Sequence, residues 1–133
     1  MATTATLTLS SDLVSDALKF STVATLTKSG GSTDIEEASG LSRKKTGNTT
    51  EYTLFDASLY VDDMAHKVYL KNTSTNATQY FEVQVAEVVI GKLYAGDWAF
   101  IPWSADTTGT NCNITITPSA ADITLEYMLF IDV

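Results

Sequence analysis

Apolar and polar residues alternate with a period of two in segment after segment of this chain. Ala5-Thr6-Leu7-Thr8-Leu9, Lys67-Val68-Tyr69-Leu70-Lys71 and Gln79-Tyr80-Phe81-Glu82-Val83-Gln84-Val85 all follow it. Successive side chains of a strand point to opposite faces, so this pattern specifies strands with one dry and one wet face. No sustained run of apolar residues recurs at three- and four-residue spacing, so no amphipathic helix is expected. Threonine reinforces the reading: 21 of 133 residues are Thr. Its branched Cβ suits strands, and its hydroxyl suits faces that meet water. With seven Gly and two Pro, turns must lean on Asn, Asp and Ser.

The pattern predicts strands near residues 5–9, 20–27, 51–55, 59–61, 67–71, 79–85, 86–93, 98–103, 111–117 and 123–133. A single capped helical turn or a turn is expected at 10–16, polar turns at 29–32, 72–78 and 104–110, and a bend or bulge at Gly91. Residues 33–50 read as one long loop, interrupted by a short element around Leu41. Eight to ten short strands without helices predict an all-β, antiparallel sandwich, with a jelly roll as the natural arrangement at this size. Residues 1–133 read as a single domain.

Charge and composition narrow the function. Eight basic against sixteen acidic residues give a net charge of −8, which argues against a phosphate-binding surface. The charged share of 18% with 44% hydrophobic residues argues against disorder. No apolar run approaches the roughly 20 residues of a membrane helix. Met1-Ala2-Thr3-Thr4 lacks the basic and apolar regions of a signal peptide, so none is expected.

Catalytic constellations are sparse. Cys112 is the sole cysteine and His66 the sole histidine, so an intramolecular disulfide, a Cys-based zinc site and a multi-His site are excluded. Asp62, Asp63 and His66 have metal-like spacing, but no calcium-loop pattern follows, and a polar turn ahead of a strand explains them. Glu82, Glu87 and Glu126 could supply the paired carboxylates of glycoside hydrolysis, although any acidic β protein offers such pairs. No G-x-S-x-G surrounds a serine, Cys112 has no activating neighbours, and Ser29-Gly30-Gly31-Ser32 is not a P-loop. The sequons at Asn48, Asn72, Asn76 and Asn113 are expected of a Thr-rich chain. Neither an enzyme nor a cofactor is expected.

Spare apolar faces point instead to assembly. In Ile123-Thr124-Leu125-Glu126-Tyr127-Met128-Leu129-Phe130-Ile131 the first half is one-sided and the second half is apolar on both faces. One sandwich buries one face of each strand, so Met128 and Phe130 need a loop or another subunit. Trp98, Phe100 and Trp103 raise the same question and are candidate core or interface anchors. Arg43-Lys44-Lys45, the one basic cluster, suits polar contacts to an acidic patch on a partner protein.

Lys67-Val68-Tyr69-Leu70-Lys71-Asn72, the stretch from Gly91 through Asp97-Trp98-Ala99-Phe100-Ile101-Pro102-Trp103, and the stretch from Ile116-Thr117-Pro118 to Tyr127-Met128-Leu129 together resemble small virion structural proteins of tailed bacteriophages, especially phages of marine and cyanobacterial hosts. The likeness spans residues 65–133. It implies a capsid decoration (cement) protein, or a tail or neck component: a compact β domain, multimeric, assembled in the host cytoplasm into the virion. The expected partners are copies of itself, as a trimer at capsid three-fold sites, and the major capsid protein or other virion proteins, with no nucleic acid and no membrane. A carbohydrate-binding sandwich, stacking sugars on Trp98, Trp103 or Tyr94, is the alternative from another functional class.

Overall fold

A computed structural model describes residues 4–11, 18–25, 37–106 and 112–131. These form eleven strands: β1 (Thr4–Ser11), β2 (Leu18–Thr25), β3 (Glu37–Ala38), β4 (Ser42–Lys45), β5 (Tyr52–Phe55), β6 (His66–Asn72), β7 (Tyr80–Val85), β8 (Val88–Tyr94), β9 (Trp98–Trp103), β10 (Ile114–Pro118) and β11 (Thr124–Ile131). The expected turn at 29–32, the start of the loop expected at 33–50, parts of the turns at 10–16 and 104–110, and the ends of the strands expected at 20–27, 111–117 and 123–133 lie outside the described residues.

The strands form three antiparallel sheets. Sheet I has the order β3-β11-β6-β9, with β4 pairing the same edge of β11 as β3. Sheet II has the order β5-β10-β7-β8. Strands β1 and β2 pair in continuous register, Thr4 opposite Thr25 to Ser11 opposite Leu18, as a two-stranded sheet of their own. The chain is therefore all-β, as its alternation requires.

Sheets I and II face each other across one core. The alternation of β6 is visible residue by residue: His66, Val68, Leu70 and Asn72 are buried, while Lys67, Tyr69 and Lys71 between them are half-exposed. Leu125 and Leu129 of β11 are fully enclosed beside them, opposite Phe81 of β7 and Ile114 and Ile116 of β10. Each such side chain contributes about 1.5–3 kcal/mol by leaving water. Aromatic rings cross between the sheets: Phe55 of β5 lies 5.9 Å from Trp103 of β9 and 5.7 Å from Tyr127 of β11. Cys112 is half-buried beside this core.

Three segments depart from the sequence reading. Residues 37–45 are two edge strands either side of Leu41 rather than one loop. Gly40, at φ +79°, turns the chain between them, and the Ser39 N–H and Oγ bond the Leu129 carbonyl and N–H across the step. The basic triplet thus lies on β4, because β11 offers it a ladder that sequence periodicity cannot reveal. The strand expected at 59–61 is instead a 3₁₀ turn, Ala57–Leu59, capped by the Asp56 carboxylate, which accepts from the Ser58 N–H. Two hydrogen bonds from Ser58 hold that carboxylate below its usual pKa. The expected continuous run 86–93 begins with a tight turn, in which Ala86 and Glu87 have φ of 52° and 64°. Positive φ at both central residues is the twist a two-residue hairpin demands. Gly91 adjoins a register shift opposite Val83 and Gln84, as the expected bulge requires.

Candidate functional site

The outer surfaces of the two sheets differ in chemistry. On sheet II it carries Thr117, Glu82, Gln84 and Lys92 around the buried Thr115, with Tyr80, Val89 and Tyr94 toward its β8 edge. Lys92 sits over the Tyr80 ring at 4.6 Å and 3.9 Å from Glu82.

Sheet I sets a central apolar patch among charged side chains. Strand register sets its outward residues in three rows. The first runs Arg43, Glu126, Lys71, Trp98 across β4, β11, β6 and β9. The second is Met128, Tyr69, Phe100, and the third Phe130, Lys67, Pro102. Two aromatic rings, a phenol and a thioether thus adjoin one another outside a core that is already complete. Phe100 and Phe130 meet edge to face at 5.8 Å. The Lys67 ammonium turns back to the Ala65 carbonyl at 2.7 Å. Trp98 stands at the corner of the patch, 52% exposed.

A polar clamp borders this patch. The Arg43 guanidinium donates from Nε and Nη2 to one Glu126 oxygen, at 3.1 and 2.9 Å. The Tyr69 hydroxyl donates to the other at 3.2 Å. Hydrogen bonding from Arg43 is the main reason the Glu126 carboxyl is held below its usual pKa; burial opposes it, and Tyr69 and the Arg43 and Lys71 charges add to it. The Tyr69 phenol is shifted up, first by burial and then by Glu126. This arrangement leaves Glu126 anionic and engaged, the reverse of what a general acid requires.

The corner that carries Trp98 is fixed by Asn72. This last residue of β6 is fully buried. Its amide donates to the carbonyls of Gln79 (3.1 Å) and Leu93 (2.9 Å), and its Oδ1 accepts from the Ser74 N–H at 2.9 Å. Its backbone bonds Gly96 and Asp97. Gly96, at φ +85°, makes the turn from β8 to β9 possible. The sequon at Asn72 is thus a structural amide inside the fold.

Of the sequence candidates, Arg43, Trp98, Phe100, Met128 and Phe130 share this one face. Trp103 does not: it is 4% exposed, and its indole N–H donates to the Cys112 carbonyl at 2.8 Å. It belongs to a cluster with Tyr60 and the buried His66, at 5.3 and 5.5 Å. Lys44 lies on the alternate face of β4, 5.0 Å from the Tyr52 ring of sheet II. Lys45 pairs with Asp122 at 3.1 Å. Tyr69 and Lys71 complete the face, and sequence reasoning did not single them out. Period-two alternation puts them on one side of β6, but only strand order shows that this side meets Phe100 and Met128.

No metal-ligand cluster of three or more His, Cys, Asp or Glu occurs among the described residues. Asp62 and Asp63 lie on an irregular segment, where Asp62 bridges to Ala105 and the Asp63 N–H donates to the Ala105 carbonyl. The three aromatics a sugar platform would use are dispersed: Trp98 outside sheet I, Tyr94 paired with Tyr80 on the outer side of sheet II, and Trp103 in the core. No family model, curated protein or solved structure matches the chain.

Proposed function

We propose that this chain is a non-enzymatic structural subunit of a tailed-phage virion, a capsid decoration protein that self-associates and meets its partner through the outer face of sheet I. The observation that carries the proposal is the surplus aromatic face: Trp98, Phe100, Tyr69, Met128 and Phe130 contiguous on the outside of a sandwich that needs none of them for its core. Trp98 is exposed and the other four are half-buried, and contiguous apolar surface of this kind with a polar border marks a protein contact site. Trp, Tyr and Arg at its centre and margin are the residue types that dominate binding energy.

We also read the strand order as that of a jelly roll. From β4 to β11 consecutive strands fall in opposite sheets, except for the hairpin β7–β8. That double-sheet arrangement recurs in viral capsid domains and in lectins; it supports the reading by analogy alone. The sugar-binding alternative loses its platform to the dispersal of Trp98, Tyr94 and Trp103.

Immunogold labelling of particles from the phage lysate that encodes the chain tests the proposal. Label over the shell is expected. Label confined to the tail or neck moves the site to the tail alternative, and particles without label refute a virion role. Light scattering should give about 43 kDa for three copies of the 14.3 kDa chain.

A further inference from the structure

Two features of the fold are incomplete alone and complementary together. The first is the β1–β2 hairpin, which pairs with neither sandwich sheet. An isolated two-stranded hairpin is marginal in water and needs a third strand or a covered face. The second is β8. It is the outer strand of sheet II, and its edge exposes Val88, Val89 and Ile90 at 63%, 50% and 52%. Unpaired edges are normally guarded by charge or proline; these three residues are all apolar. Beneath this edge β8 stands apart from β9, leaving an apolar groove of about 190 Å³ lined by Leu70, Val83, Ile90, Leu93, Ala99 and Ile101.

We infer that the β1–β2 hairpin of one copy adds to the β8 edge of a second copy, continuing its sheet II and covering the groove. The eight-residue strands match the seven residues of β8 in length. The donor sequence alternates apolar and polar residues from Ala5 to Leu9, the pattern a strand needs to cover a groove on one side and meet water on the other. Charge agrees. Lys19 is the one charged residue of the hairpin strands, whereas the whole chain carries −8. The two strands themselves carry none of the negative charge, which within residues 4–25 is confined to Asp12 and Asp16 between them. The Lys19 charge is opposite in sign to the exposed Glu87 at the start of the acceptor edge.

The sheet order favours a second copy over the same one. Eleven residues join β2 to β3, and β3 lies at the edge of sheet I opposite β9. The acceptor groove lies on the β9 side. The chain from the hairpin therefore enters the sandwich at the margin away from the acceptor, so each copy can give to one neighbour and receive from another. Such a head-to-tail contact closes into a ring when its rotation permits. The inference rests on the self-association in the proposed function and not on the capsid contact.

Complementation between two full-length variants tests it. Thr6→Pro with Leu7→Pro removes adjacent N–H groups, which point to opposite edges of β1, and so disables the donor. Val89→Lys places a charge on the acceptor edge and disables the acceptor. Light scattering of the unmodified chain should give a multiple of 14.3 kDa, and each variant alone should give a single copy. Mixed, they should form a 1:1 complex, because one retains a donor and the other an acceptor. Far-UV circular dichroism and a cooperative melt check folding, and Val88→Lys replaces Val89→Lys if the latter fails. An assembly that survives both variants overturns the inference but leaves self-association standing. A single-copy unmodified chain overturns both. Variants that stay single in the mixture place the hairpin on its own copy and overturn the exchange.

Discussion

Asn72 offers the sharpest test of how the fold holds its corner. Replacing it with alanine removes three hydrogen bonds and strands the Gln79 and Leu93 carbonyls and the Ser74 N–H. At about 1 kcal/mol net per bond, and more where the orphaned group is buried, the loss is about 3–4 kcal/mol. That is a large share of the roughly 5–15 kcal/mol a domain possesses. With a urea slope of about 1.5 kcal/mol/M for a chain of this size, the unfolding midpoint should fall by about 2 M. Asn72→Asp separates donor from acceptor. Its carboxylate can still accept from Ser74 but faces two carbonyls with no proton to give. At neutral pH it should be less stable than the alanine variant. Burial and those carbonyls raise the folded pKa of such an aspartate above its unfolded value of about 3.9. It is therefore destabilised above its folded pKa and recovers as pH falls through it. The assay is urea unfolding of both variants at pH 7.5 and 5, followed by circular dichroism. A loss under about 1 kcal/mol for Asn72→Ala, or identical behaviour of the two variants at both pH values, would refute the claim that the amide pins the corner.

Four further outcomes are expected. Ala86→Asn with Glu87→Gly gives the β7–β8 turn the residues its positive φ angles favour, and should add about 1–2 kcal/mol, read as a rise in Tm of a few degrees. Trp98→Phe should leave blue-shifted emission that iodide barely quenches, since Trp103 is buried; strongly quenched emission would place Trp103 at the surface. Glu126→Gln should flatten the acid limb of stability: the depressed folded pKa of Glu126 stabilises above its unfolded value near 4.3 and is lost as pH falls through the folded value, so an unchanged acid profile would count against the Arg43 clamp. Trp98→Ala with Phe100→Ser should alter Tm little, because neither side chain is buried, yet weaken partner binding at least tenfold, as central anchors do; unchanged affinity in a binding titration would move the contact elsewhere.

The strands whose alternation is strict were legible in the sequence. Strands β6 and β7 and the first half of β11 follow it because one face of each meets a shared core. Met128 and Phe130 announced a second apolar face for the same reason. Edge elements were not legible. Arg43-Lys44-Lys45 has no strand signal of its own, and β4 exists because β11 supplies its ladder. Ala86-Glu87 lacks the Asn-Gly signature of its turn, so the second strand read as starting at Ala86 rather than Val88. Asn72 looked like loop chemistry because a buried amide and a turn amide are the same residue in a string. The grouping of Trp98 and Phe100 with Met128 and Phe130, and the separation of Trp103 from all four, follow from strand order and inward or outward parity, which local pattern fixes only within a strand.

The placement of β10 and β11 also governs the order of folding. Both are inner strands, β10 between β5 and β7, and β11 between β6 and the β3/β4 edge, yet they are the last strands of the sandwich to be made. Until they arrive, β5 has no neighbour in sheet II, β4 has none in sheet I, and the inner faces of β6 and β7 lack the leucines and isoleucines that enclose them. During synthesis the chain must therefore carry open strand pairs, β6 with β9 and β7 with β8, and the sheets close only when later segments insert beside them. Such non-local closure is slow, and its waiting intermediates expose strand edges that invite association. A chain of this design gains from rapid release and from low temperature during expression, and substitutions in β10 or β11 should depress its soluble yield more than equal changes in the edge strands.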